Sequence, residues 1–178
     1  MLAVKTGSTV KFSEAAQQRA KEIIARYPEG KQKSAMLPLL HLIQDENDNW
    51  LSVEAQDLVA SLIGVQPVEV YEVATFYSMY NLKPVGKYLL EVCHTGPCMI
   101  RGGETLVARL ENKLGIRVGQ TTPDGMFTLK TVECLAACGY APMLQLGERY
   151  IENIDTEEKV DKLIADLREK ARTGAPVY

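Results

Sequence analysis

The feature that most constrains this chain is a change in the spacing of its apolar residues near residue 84. Before that point they recur at helical intervals; after "NLKPVG" they alternate. Ser13 precedes "EAAQQRAKEIIARY", where Ala16, Ala20, Ile23, Ile24 and Tyr27 mark a first helix stopped by Pro28 and Gly30. A second helix is expected through "AMLPLLHLIQDEN", with Met36, Leu39, Leu40 and Ile43 as its stripe and Pro38 near its first turn. Ser52 is positioned to cap "VEAQDLVASLI", which Gly64 ends, and Pro67 suits the first turn of "VEVYEVATFYSMY". The aromatic segment Tyr71, Phe76, Tyr77 and Tyr80 reads as helix packing, and Trp50 as a seal between helices.

The second half has a different grammar. "KYLLEV" reads as a strand and "GGETLVARLENKLG" as a helix closed by Gly115. "MFTLKTVEC" reads as a second strand whose alternation slips between Leu129 and Val132, which predicts a bend. "PMLQL" and "RYIENI" flank Gly147-Glu148 as a hairpin, and Asp155 with Glu158 predicts a capping box for a last helix through "TEEKVDKLIADLREKAR". The tail "TGAPVY" has no pattern and reads as mobile. The expected fold is α+β, with a small helical bundle at residues 1–84 and an α/β domain with a mixed sheet at residues 85–178.

All four cysteines lie in the second half: Cys93 and Cys98 in "EVCHTGPC", Cys134 and Cys138 in "ECLAACGYAP". Each pair follows an expected strand, so two loops at one sheet edge would bring four sulfurs together. Disulfides are disfavoured because no secretory signal precedes them. Core packing is disfavoured because Gly96, Pro97, Gly139 and Pro142 surround them in loop positions. Zinc usually takes a C-x2-C knuckle, and both gaps here are wider. A [2Fe–2S] cluster needs loops that wrap a rhomb, two thiolates to each iron, and glycines let backbone N–H groups approach the sulfurs. Spacing alone leaves cluster and zinc open. A thiol oxidoreductase would need a C-x-x-C pair at a helix start, which the sequence lacks.

Composition removes other classes. A net charge of −3 with interspersed basic residues gives no field for nucleic acid. The longest apolar stretch, "AMLPLLHLI", is about half of the roughly 18 residues a membrane span needs. No Walker loop and no G-x-G-x-x-G after a strand occurs, so no dinucleotide or phosphate fingerprint is present. His94, beside Cys93, is disfavoured as a ligand because four cysteines suffice, and His41 reads as structural.

The stretch from "GKYLLEVCHTGPC" through "ECLAACGYAPMLQLGERYIENI" closely resembles the thioredoxin-like [2Fe–2S] subunit family of NADH:quinone oxidoreductase, respiratory complex I. "MLPLLHLIQDENDNWLS" and "VYEVATFYSMYNLKPVGKY" resemble the helical N-terminal region of the same family. The resemblance implies a thioredoxin-like second domain in which Cys93, Cys98, Cys134 and Cys138 ligate one [2Fe–2S] cluster, with no catalytic residue and no NADH site of its own. It further implies a partner flavoprotein that binds FMN and NADH, within a larger complex. Cytoplasmic placement, peripheral on the inner face of the membrane, is expected, or the mitochondrial matrix if the chain is organellar and processed. Related subunits serve NAD-linked hydrogenases and formate dehydrogenases, and a zinc-stabilised binding module is the rival from another class. Ala136 departs from the family pattern, which has glycine there; its methyl is expected to crowd a backbone approach to the cluster.

Overall fold

The computed structural model describes residues 3–174; the tail from position 175 lies outside the described residues. The chain divides into two compact units, Met1–Pro84 and Val85–Tyr178.

The first unit is helical: α1 (Glu14–Ile24), α2 (Met36–Glu46), α3 (Val53–Ile63) and α4 (Pro67–Phe76), with a 3-10 turn at Gln32–Ala35 leading into α2. Local chemistry sets the ends. Ser13 Oγ accepts the N–H of Ala16, and Ser52 Oγ that of Ala55. Gly64 closes α3 in the left-handed region at φ +69°, where a side chain would be strained. Helix α4 starts on Pro67 inside a reciprocal box between Gln66 and Glu69. Its apolar stripe meets those of α2 and α3 in one core that includes Leu39, Leu40, Ile43, Leu51, Val59 and Val70. Helix α4 is shorter than its apolar run suggests, because Tyr77 turns extended and ends it. The expected aromatic packing holds for Tyr80, which is buried and stacks against His41, but not for Phe76 or Tyr77, which are 79% and 38% exposed.

The second unit comprises β1 (Tyr88–Cys93), α5 (Gly96–Ile100), α6 (Gly103–Leu114), β2 (Phe127–Val132), β3 (Leu144–Leu146), β4 (Arg149–Ile151) and α7 (Glu157–Thr173). The sheet order is β2-β1-β3-β4. Strands β1 and β2 are parallel, while β3 pairs antiparallel with both β1 and β4, so the sheet is mixed. Tyr88, Leu90 and Val92 alternate onto one face with Phe127 and Leu129. Leu106, Leu110 and Leu114 of α6 and Val160, Ile164 and Leu167 of α7 join them in a single core.

Three local expectations are corrected. The bend between Leu129 and Val132 does not occur: β2 keeps register with β1 from Tyr88↔Phe127 to Cys93↔Val132. The slip lies in side-chain chemistry and not in the backbone: polar Thr131 takes the face of Phe127 and Leu129, while Lys130 on the other face lies 3.5 Å from Glu91 in regular register. The last helix is capped by Thr156, which accepts the Lys159 N–H, while Asp155 pairs with the Lys159 ammonium instead. The first cysteine loop contains the short helix α5, with Pro97 in its first turn; five residues are too few for helical periodicity to register in a sequence.

Candidate functional site

Parallel pairing of β1 with β2 decides where the cysteines go. Cys93 is the last residue of β1 and stands in register with Val132, the last of β2. The loops that leave both strands therefore start at the same end of the sheet. The first turns directly into α5, which carries Cys98 in its middle. The second runs past Cys134 into a 3-10 turn at Cys138–Tyr140 and returns to β3. Cys93 and Cys98 are buried, each 2% exposed; Cys134 and Cys138 are exposed. Cys93, Cys98, Ala141 and Met143 form a small apolar cluster with Leu135 and Ala137 against it, so the two loops share one floor.

The thiols come as two pairs, Cys93 with Cys98 and Cys134 with Cys138, each within hydrogen-bonding reach. Burial pushes the Cys98 thiol up to about 11, helped by the hydrogen bond to Cys93 and by its charge, with Cys138 adding to the rise. Desolvation, pairing with Cys134 and the charges of Cys134 and Cys93 raise Cys138 as well. At Cys93 burial also acts to raise the pKa, but hydrogen bonds from the backbone of Thr95 and Leu135 and from the Cys98 and Thr95 side chains outweigh it, and the thiol lies below its ordinary value. In the first pair Cys93 sheds its proton readily while Cys98 resists. A metal ion replaces such a shared proton, because thiolate is the ligating form.

Donors to the sulfurs are mostly main chain. Thr95 and Leu135 serve Cys93, Met143 serves Cys98, and the Ala136 N–H reaches Cys134 Sγ at 3.3 Å. The Thr95 hydroxyl lies 3.7 Å from Cys93 Sγ. Such N–H groups stabilise negative charge on sulfur. Sequence reasoning marked the four cysteines but not these donors, and it also missed Gly103. A β-carbon at Gly103 would stand 3.0 Å or less from the carbonyl oxygens of both Cys93 and Cys98, so glycine lets α6 rest directly on the thiol loop. The start of "GGETLVARLENKLG" marked a helix but not this contact.

Ala136 has φ +60°, the left-handed region that favours glycine. This is the physical reason to expect glycine there. Ala136 itself is exposed, and its N–H bonds Cys134 Sγ. His94 is exposed, with Nε2 3.8 Å from Glu133. Among the described residues, no group of three or more His, Cys, Asp or Glu side chains is placed to hold a single metal ion; the thiols are grouped two and two. A groove of about 610 Å³ between β4 and α7 is lined by none of the cysteines.

Fold and site together define a class: a thioredoxin-like unit whose strand-end loops present paired thiols suited to a metal–sulfur group. Residues 20–168 match the family described as thioredoxin-like [2Fe-2S] ferredoxin, and the chain belongs to that family. It is 48% identical over 145 residues to an NADH-quinone oxidoreductase subunit of Rickettsia felis, covering 82% of this chain and 86% of that protein. It is 41% identical to the mitochondrial NADH dehydrogenase [ubiquinone] flavoprotein 2 of Dictyostelium discoideum, covering 82% of this chain and 59% of that one. The fold also matches the crystal structure of an NAD+-reducing [NiFe]-hydrogenase in its air-oxidised state, with TM-score 0.64 at 20% identity; the match covers 76% of this chain and 23% of the hydrogenase chain. That likeness is one of fold. No helix among the described residues is long and apolar enough to cross a membrane.

Proposed function

We propose that Cys93, Cys98, Cys134 and Cys138 ligate one [2Fe–2S] cluster and that the chain is the electron-transfer subunit of an NADH:quinone oxidoreductase. The observation that carries this is the pairing of the thiols, two and two, on loops leaving one end of the sheet. A rhombic cluster takes two thiolates at each iron, whereas one zinc ion takes all four at a point. The cluster supplies one-electron redox chemistry. The chain's own residues provide the thiolates, N–H donors that stabilise charge on sulfur, and an apolar floor that keeps water from Cys93 and Cys98.

A hydride carries two electrons and a [2Fe–2S] centre takes one, so a flavin must divide them. With no flavin or NAD fingerprint in this sequence, FMN and NADH belong to a partner flavoprotein. The names of the relatives favour NADH:quinone oxidoreductase as host over an NAD-linked hydrogenase or formate dehydrogenase. Met99 and Ile100 beside Cys98, and Tyr140 beside Cys138, are exposed, as a loop surface awaiting a partner would be. In the helical unit Phe76, Tyr77 and Met79 are exposed in the same manner. The complex is a stable heterodimer burying at least roughly 2,000 Å², on the cytoplasmic face of the membrane or in the mitochondrial matrix.

The test is reduction by NADH, followed by the visible and paramagnetic spectrum, for the chain alone and with co-expressed flavoprotein. Reduction is expected only in the pair, with about two iron and two sulfide per chain. Rapid reduction of the isolated chain, none in the pair, or a colourless protein with stoichiometric zinc overturns the reading. Cys98→Ser and Cys138→Ser are each expected to abolish or alter the spectrum, because a hard oxygen replaces a soft thiolate.

A further inference from the structure

We infer that Tyr150, on the edge strand β4, is a positioning residue for the thiol site and sets the strength of the N–H···S bond to Cys134. The Tyr150 hydroxyl donates to the carbonyl oxygen of Leu135 at 2.8 Å. That carbonyl belongs to the same peptide unit as the Ala136 N–H, which donates to Cys134 Sγ at 3.3 Å. The unit is planar, so its C=O and N–H turn together. A donor on the oxygen also polarises the N–H at the other end, so the two bonds strengthen each other. A chain of three groups thus runs from the phenol through one peptide to the sulfur.

This peptide needs an external hold. Ala136 sits at φ +60°, where residues other than glycine are strained, and relaxation would rotate the N–H away from Cys134. Tyr150 opposes that rotation from outside the loop. Its own place is secured: β4 pairs with β3, and just beyond it the N–H groups of Asn153 and Ile154 donate to the carbonyls of Tyr140 and Pro142, each at 2.9 Å. The β4 segment therefore straps the second cysteine loop at three points, and Tyr150 is the one that reaches a sulfur donor.

The consequence is electronic. An N–H bond to a ligating sulfur favours the more negative, reduced state, so tightening it raises the reduction potential and loosening it lowers it. The inference rests on the proposal that Cys134 is a ligand, and the experiment separates the two. Redox titration of the cluster-bearing chain, read by its paramagnetic signal, is compared for wild type, Tyr150→Phe and Tyr150→3-fluorotyrosine. In the cluster-free chain the exchange rate of the Ala136 amide is measured for wild type and Tyr150→Phe. Tyr150→Phe is expected to shift the oxidised-to-reduced ratio at fixed ambient potential roughly threefold to tenfold toward oxidised, about 59 mV at the tenfold limit, and to speed Ala136 exchange several-fold. The fluorinated phenol, a stronger donor, is expected to move the midpoint the opposite way. An unmoved midpoint in Tyr150→Phe, or unaltered Ala136 exchange, overturns the inference. Should Tyr150→Phe not hold a cluster, an unmoved midpoint in the fluorinated variant overturns it. A Cys134→Ser chain with an unchanged cluster spectrum instead overturns the ligand assignment.

Discussion

Replacing Gly103 by alanine should damage the thiol site from behind, and the size of the effect follows from three distances. A β-carbon there would lie 2.9 Å from the Cys98 carbonyl oxygen, 3.0 Å from that of Cys93 and 3.1 Å from the Cys98 carbonyl carbon. Ordinary C···O contacts fall at about 3.3–3.6 Å. All three obstacles are main chain, so no rotamer change relieves them, and α6 or the loop must shift by about half an ångström. Overpacking of this kind costs about 1–3 kcal/mol, while removing a helical glycine returns about 0.5–1 kcal/mol. The net loss is about 1–2 kcal/mol, and each kcal/mol moves the midpoint of a domain this size by about 4–8 °C. Gly86→Ala is the control. Its β-carbon would stand 2.9 Å from the Phe127 carbonyl carbon and 3.0 Å from the Gly125 oxygen, a comparable clash before the other end of β1 from Cys93. Thermal melts followed by circular dichroism should show both variants destabilised, whereas only Gly103→Ala should alter the cluster's visible and paramagnetic spectra and hasten its loss to a chelator. A Gly103→Ala protein with wild-type melting and spectrum would refute the reasoning.

Ala136→Gly removes the left-handed strain of about 1–2 kcal/mol but adds chain entropy to the unfolded state, so a gain of up to about 1 kcal/mol is expected in chemical denaturation with the cluster spectrum retained; a loss of stability would contradict the strain argument. In the cluster-free, reduced chain, iodoacetamide should label Cys134 and Cys138 well before Cys93 and Cys98, since only the first two are exposed, and mass spectrometry of partly labelled protein checks the order. Glu54 accepts from its own N–H, from Gly7 and Thr6 N–H and from the Thr6 hydroxyl, which outweigh desolvation and hold its carboxyl down at about 2. A depressed folded-state pKa means the tie is complete above the ordinary value of 4.5 and fails as the pH falls from there toward about 2, so amide protection of Thr6 and Gly7 should drop across that window. Glu54→Gln should abolish that pH dependence; persistence of the drop in the variant would assign it to another group.

What the sequence determined by itself is what nearest neighbours along the chain can enforce. Ser13, Ser52, Gly64 and Pro67 act within one helical turn, so their caps and stops were legible, as were the periods that separate a helical first half from an alternating second. The four cysteines were legible too, though not that Cys93 ends β1 and Cys98 sits buried in α5, and the family pattern around them marked Ala136 as the departure. The tertiary structure decided everything that depends on partners far apart in sequence. Parallel pairing of β1 with β2 brings the Cys93 and Cys134 loops to one end of the sheet, and a strand pattern alone does not specify its neighbour. Tyr150 looks like an ordinary hairpin aromatic until β4 is laid beside β3 and its hydroxyl meets Leu135. Gly103 looks like a helix start until α6 is packed onto the carbonyls of Cys93 and Cys98. The bend expected in β2 vanished for the same reason: the backbone ladder with β1 fixes the path of the strand whatever side chains Thr131 and Val132 present along it.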